Sequence, residues 1–201
     1  KTKKDDEESV AFYCTNVKCP ARNIRGMEHF VKALDIYEVG PKILERLKDE
    51  GLITDAADLF TLTEADLSGL ERFGDKSAKN IIENLELKKN PSLDRFIVSL
   101  GILHVGEETA RDLAKHFGTL EKFKQAAVSD VATDTISVFE QIENIGPLVA
   151  ESIISWFGEK HNRDYVQKLL DNGVVPKKFV APRGGKFEGK IFVLTGTLPV
   201  L

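Results

Sequence analysis

Four short stretches of this chain align on one glycine each: Glu38-Val39-Gly40-Pro41, Arg72-Phe73-Gly74-Asp75, His104-Val105-Gly106-Glu107 and Asn144-Ile145-Gly146-Pro147. From each glycine the offsets +4, +7, +8 and +11 give Leu44, Leu47, Lys48 and Gly51; Ala78, Ile81, Ile82 and Leu85; Ala110, Leu113, Ala114 and Phe117; and Ala150, Ile153, Ile154 and Phe157. Three of the four copies are apolar at every offset. These offsets trace one face of an α-helix, so each glycine opens a helix whose buried stripe starts one turn later. An apolar residue precedes the glycine each time (Val39, Phe73, Val105, Ile145), and another helical pattern ends shortly upstream. The repeated unit is helix, tight hairpin, helix. The glycines lie 34, 32 and 40 residues apart, too uneven for a regular solenoid, and the pattern predicts a mainly all-α, compact domain of paired units.

Apolar residues three and four apart predict helices over about 28–36, 41–50, 55–60, 64–70, 75–88 and 93–100, then over 107–117, 120–127, 136–142, 147–157 and 163–172. Thr54, Thr63, Ser92, Thr119 and Asn162 stand where N-caps are wanted. Gly51, Gly118 and Gly173 suit C-terminal stops. After Gly173 the period disappears: residues 174–185 hold two prolines and two glycines and read as a linker. Lys190-Ile-Phe-Val-Leu-Thr195-Gly196 then reads as a strand. A lone strand does not fold independently, so it is expected to open a further domain that is cut short here.

At 201 residues, 42% hydrophobic and 8% aromatic, the chain has the composition of one or two soluble domains. Its longest apolar runs fall far short of the ~20 residues of a membrane helix, and Lys1 to Glu8 is too charged for a signal peptide. No membrane partner is expected. Cys14 and Cys19 are the only cysteines, which excludes a disulfide framework and points to a reducing, cytoplasmic setting. The net charge of −4 is unevenly spread. Residues 1–27 carry six basic against four acidic side chains, 28–90 nine against fourteen, 91–176 eight against thirteen, and 177–201 five against one. Three regions follow: 1–27, 28–176 and 177–201.

An acidic middle argues against a basic nucleic-acid glove, but the hairpins offer another route. A glycine between an apolar anchor and a helix start permits a tight hairpin and leaves the first helical N–H groups pointing outward, and with the helix dipole these hold a phosphate oxygen without base contacts. Gly40, Gly74, Gly106 and Gly146 are therefore candidate anion sites. Copies two and three look best equipped, with Arg72, Lys76, Ser77 and Lys79 around Gly74, and His104, Thr109 and Arg111 around Gly106. Glu38 weakens copy one by repulsion, and Pro41 and Pro147 each remove a donor from copies one and four.

The hairpins resemble the helix-hairpin-helix DNA-binding family, whose loops read apolar-x-Gly-apolar-Gly before a helix with a small residue one turn in. The second glycine of that pattern is Gly40, Gly74, Gly106 or Gly146; at the first stand Glu38, Arg72, His104 and Asn144. Cys14-Thr-Asn-Val-Lys-Cys19 has a spacing that lets two thiolates reach one metal ion, with His29 the nearest further candidate. Taken together, Cys14-x4-Cys19-Pro-Ala-Arg, the four hairpins, Gly69-Leu-Glu-Arg-Phe-Gly-x-Lys-Ser-Ala, Val105-Gly-x-x-Thr-Ala and Phe187-Glu-Gly-Lys-Ile-Phe-Val-Leu-Thr-Gly-Thr-Leu are similar to the C-terminal part of bacterial NAD-dependent DNA ligases.

That resemblance implies a partial zinc-finger segment over 1–27, four helix-hairpin-helix motifs over 28–176, and a linker with the first strand of a truncated BRCT domain over 177–201. It implies structural zinc held in part by Cys14 and Cys19, and nicked duplex DNA as partner. Nothing in the sequence resembles a heptad seam or a strongly apolar exposed stripe, so a monomer is the default expectation. NAD and magnesium would serve the parent enzyme's nick-sealing chemistry in replication and repair. No catalytic residue is expected in this chain: the adenylated Lys-x-Asp-Gly pattern is absent, and Lys186-Phe-Glu-Gly is only its nearest string. Two other readings stay open, a helix-hairpin-helix module of another DNA repair protein and an all-α interaction scaffold.

Overall fold

The computed structural model describes residues 20–70, 74–130 and 137–180. Among them lie nine α-helices: α1 (Pro20–Ala33), α2 (Pro41–Asp49), α3 (Glu64–Ser68), α4 (Asp75–Leu87), α5 (Leu93–Ser99), α6 (Glu107–Phe117), α7 (Leu120–Asp130), α8 (Pro147–Gly158) and α9 (Lys160–Asp171). Two 3₁₀ turns, Ala56–Thr61 and Val138–Gln141, stand where the sequence predicted α-helix. Short connecting pieces of this length commonly take the tighter 3₁₀ form. The described residues contain no strand, and the all-helical reading of the middle region holds.

The elements fall into two runs with the same order. In the first, α1, hairpin 1 and α2 lead through the 56–61 turn to α3, hairpin 2 and α4; in the second, α5, hairpin 3 and α6 lead through α7 to the 138–141 turn, hairpin 4 and α8. The first helices of the two runs, α1 and α5, pack on each other, and α9 returns to the 56–61 turn of the first run. One apolar core runs through both. In the first half Phe30 meets Phe60 and Tyr165 edge-on at 6.1 and 6.5 Å. In the second, Phe123 sits 5.6 Å from Phe117, 6.0 Å from Phe139 and 5.4 Å from Phe157. Each such ring contributes ~1.5–3 kcal/mol by leaving water.

The chain leaves α9 at Gly173 (φ 88) and runs back over the joint between the two runs. Val175 N–H donates to Lys89 O, Lys177 N–H to Pro91 O and Phe179 N–H to Gly118 O, at 2.8, 2.8 and 2.9 Å. Gly173 therefore ends a helix, as predicted, but the first residues of the predicted linker are a fastened strap.

Helix ends depart from the sequence reading in three places. α1 starts at Pro20, eight residues ahead of the apolar period that marked its start. Asp55, not Thr54, caps the 56–61 turn: its carboxylate accepts from Ala57 N–H, while Asp58 accepts from the N–H and hydroxyl of Thr54. α9 starts at Lys160 rather than after Asn162, whose amide instead donates to Trp156 O at 2.8 Å. Thr63 does cap α3, in a reciprocal box with Asp66. Cys14, Cys19, Arg72, Lys186 and the 190–196 run lie outside the described residues.

Candidate nucleic-acid interface

Each hairpin is built the same way. The residues four and one before the glycine are buried: Ile36 and Val39, Leu70 in the second copy, Ile102 and Val105, Ile142 and Ile145. So is the residue four after it: Leu44, Ala78, Ala110 and Ala150. Between these anchors the described residues are exposed, apart from the half-buried Ile43, Thr109 and Val149. The apolar residue at −4 is part of the repeat and was missed, although it is visible in all four copies.

Two positions before the glycine the backbone turns left-handed. Glu38 has φ 63, His104 φ 63 and Asn144 φ 66, a region that favours glycine and costs other L-residues ~1–2 kcal/mol. The hairpin geometry is thus kept where the usual first glycine is replaced. The second position behaves in the opposite way. Gly40, Gly74, Gly106 and Gly146 are the N-caps of α2, α4, α6 and α8 with φ between −82 and −93. An added Cβ would meet nothing within 4 Å at any of them. The sequence argument held that these glycines permit the tight hairpin. The structure corrects it: in copies one, three and four the left-handed turn lies two residues earlier, and the fold itself accepts a side chain at all four glycines.

The hairpins divide by what they offer an anion. Each glycine carbonyl accepts the N–H four residues on, at 3.0 Å in copy one, 3.1 Å in two, 2.9 Å in three and 3.1 Å in four. In copies one and four the N–H of Ile43 and Val149 also turns back to that carbonyl, and the first helical residue is Pro41 or Pro147. Only Lys42 or Leu148 then keeps an outward N–H. In copies two and three the N–H groups of Asp75, Lys76 and Ser77, and of Glu107, Glu108 and Thr109, have no intrahelical acceptor.

Side chains follow the same division. Three residues past the glycine stand Ser77 and Thr109 in copies two and three, against Ile43 and Val149 in copies one and four. Five past it stand Lys79 and Arg111, against Glu45 and Glu151. Each run of the fold therefore holds one hairpin of either kind. Lys76, Ser77, Lys79 and Arg111 are exposed and Thr109 is half-buried. Lys79 lies 3.8 Å from Glu83, a surface contact that leaves its charge available.

First-turn carboxylates, which the sequence reading did not weigh, oppose an anion at these helix starts. α4 has Asp75 there, and α6 has both Glu107 and Glu108. Lys76 and Lys79 outnumber Asp75, whereas Arg111 alone faces two glutamates. Hairpin 2 is the better anion site of the pair.

Among the described residues no group of three or more His, Cys, Asp or Glu is placed to hold a metal ion. His29, the nearest further zinc candidate, is engaged elsewhere: its Nε2 lies 2.7 Å from Val98 O, bridging α1 to α5. No described helix is long and apolar enough to cross a membrane.

Two comparisons with protein families fall on the two runs. Residues 30–88 match a family described as a SAM-like helix-hairpin-helix tandem, and residues 95–166 match the helix-hairpin-helix motif. The first match covers hairpins 1 and 2, the second hairpins 3 and 4. By its elements, its repeated hairpins and both matches, the described chain is an all-helical fold of tandem helix-hairpin-helix motifs.

Proposed function

We propose that this chain is a non-catalytic, DNA-binding part of an NAD-dependent DNA ligase, and that it grips duplex DNA by its phosphates at hairpins 2 and 3. The observation that carries the reading is the glycine at each N-cap. The fold leaves open space where a Cβ would stand, so whatever that side chain would obstruct lies outside the protein. At Gly74 and Gly106 three outward N–H groups and a helix start face that space, which suits a closely approaching phosphate. Contacts of this kind carry no base readout, so binding is sequence-tolerant and compatible with a net charge of −4.

The parent enzyme would seal single-strand nicks in replication and repair, with NAD and magnesium serving a catalytic portion that contains the adenylated lysine. Cys14 and Cys19 would supply part of a structural zinc site. The chain would act as a monomer in the cytoplasm. What supports the ligase assignment over another helix-hairpin-helix repair protein is the sequence resemblance at both ends of the chain as well as in the hairpins.

The test is an anisotropy titration against a nicked duplex, its sealed counterpart and single-stranded DNA of the same length, at two salt concentrations. Engagement of about four to six phosphates gives a log K against log salt slope of roughly −4 to −5. Preference for the nick supports the ligase reading, and duplex binding without it favours a module of another repair protein. Tight binding that ignores salt overturns the phosphate grip. No binding at low salt favours the all-α scaffold.

A further inference from the structure

An open cavity of 720 Å³ adjoins hairpin 3 and belongs to neither the glycine N-cap nor the first turn of α6. Its size falls among small-molecule sites, ~300–1,000 Å³. Arg25 and His29 come from α1, Leu103 and His104 from the hairpin, Trp156 from α8 and His161 from α9. Three of the four histidines in the chain and its single tryptophan line this one cavity.

The polar groups there divide into engaged and free. Asp55, the carboxylate in the lining, is neutralised by Lys168 at 2.9 Å. Asn162 is held by Trp156 O, and His29 by Val98 O. His161 lies 3.8 Å from Glu159. Arg25 and His104 are exposed and, among the described residues, have no ion-pair or side-chain hydrogen-bond partner. The cavity thus presents an indole, a free guanidinium and a free imidazole, with its carboxylate already paired. Flat aromatic surface beside an unpaired guanidinium and an imidazole is the chemistry that takes a nucleotide, the base stacked and the phosphate met by the guanidinium charge and an imidazole hydrogen bond.

His104 makes the link to the hairpin. It stands two residues before Gly106, with its left-handed backbone turning the chain from the cavity wall to the helix start. A strand whose phosphate is held at Gly106 therefore has the cavity within reach of an adjacent nucleotide. We propose that the cavity takes one unstacked nucleotide of a bound DNA strand, its base against Trp156 and its phosphate met by Arg25 and His104. This rests on the duplex-gripping reading above and adds to it a preference for DNA with an unpaired nucleotide.

Because Trp156 is the only tryptophan, its emission reports the site directly. The 201-residue chain is titrated with an intact duplex, with a duplex of equal length bearing a three-thymidine flap, and with the dinucleotide pTpT, following anisotropy and Trp156 emission together. The expected result is quenching by the flapped duplex and by pTpT, little change with intact duplex, and about tenfold tighter binding of the flap. In Arg25→Ala the quenching and the flap preference are lost while intact duplex binds as before. Equal binding of both duplexes with unchanged Trp156 emission overturns the cavity proposal and leaves the phosphate grip standing. Absence of DNA binding by either signal overturns both.

Discussion

The guanidinium of Arg95, on α5, reaches the end of α1 and lies 2.8 Å from Asp35 Oδ2, with a second bond of 3.1 Å to Ala33 O. It caps the carbonyl end of the first helix of one tandem from the first helix of the other, with Asp35 itself in a left-handed turn (φ 51). Both side chains are about half exposed, so solvent screens the charge and the pair is worth ~0.5–1 kcal/mol. Arg95→Met should lower the unfolding free energy measured in urea by that amount and leave DNA affinity unchanged. A shift in affinity would show that the joint between the tandems, not each hairpin alone, sets the grip.

A steeper effect is expected inside the second tandem. Phe123 is fully buried among Phe117, Phe139 and Phe157. Phe123→Ala should cost ~3–5 kcal/mol, measured by denaturant unfolding, because three rings fixed on different elements cannot close the gap.

The glycine N-caps make the opposite prediction. Gly74→Val and Gly106→Val introduce a Cβ into open space at an ordinary φ, so circular dichroism should be unchanged and stability should fall by no more than ~1 kcal/mol. DNA affinity should drop more than tenfold for the pair. The same change at Gly40 and Gly146 should cost less, since those hairpins keep one outward N–H each. Equal losses at the two pairs would contradict the division of the hairpins.

Acid should loosen the contact between α9 and the 56–61 turn. Lys168 Nζ lies 2.7 Å from Asp58 Oδ1 and 2.9 Å from Asp55 Oδ2. Burial pushes the Asp58 carboxyl up, but hydrogen bonds from Lys168 and Thr54 outweigh it and hold the group below its ordinary value of 3.8. A depressed carboxyl adds stability above its unfolded value, and that stability is lost as pH falls through the folded one. Burial likewise lowers Lys168, and its bonds to Asp58 and Asp55 outweigh this and raise it above 10.5. Its contribution is therefore full below that value and lost only at higher pH. Thermal melts should show stability falling below about pH 4, with a shallower acid slope in Lys168→Met, which is also ~1 kcal/mol less stable at neutral pH.

Glu38→Gly tests the left-handed position. Relief of the φ 63 backbone should raise stability by ~0.5–1 kcal/mol after the entropy of the freer unfolded chain. Loss of a carboxylate two residues before Gly40 should also tighten DNA binding at low salt. Unchanged binding would mean that hairpin 1 faces away from the duplex.

The helix period and the glycine register were legible because they repeat: α2, α4, α6 and α8 start where the four glycines put them. The start of α1 was missed although Ile24 and Met27 extend the apolar stripe of Phe30, Val31 and Leu34 backward, because Asn23, Arg25 and Gly26 between them read as a break. Nor did the pattern distinguish α-helix from 3₁₀ turn at 56–61 and 138–141, where too few residues define a period. At the site, basic side chains drew the eye to copies two and three, while Glu107 and Glu108 beside Arg111 were passed over. The roles of the glycines were partly misassigned, because sequence shows which residue lacks a Cβ but not where that Cβ would point. The cavity beside hairpin 3 joins residues from Arg25 to His161 and has no local signature at all.

The strap over residues 175–179 gives the fold a mechanical property. Its backbone bonds run to Lys89 and Pro91, in the segment between the tandems, and to Gly118 at the end of α6. A pull transmitted along the chain from Val180 reaches this joint before it reaches either tandem's helices. Tension applied there would first load three backbone hydrogen bonds anchored on both sides of the joint, so the exit of the chain works as a shear pin between its two halves.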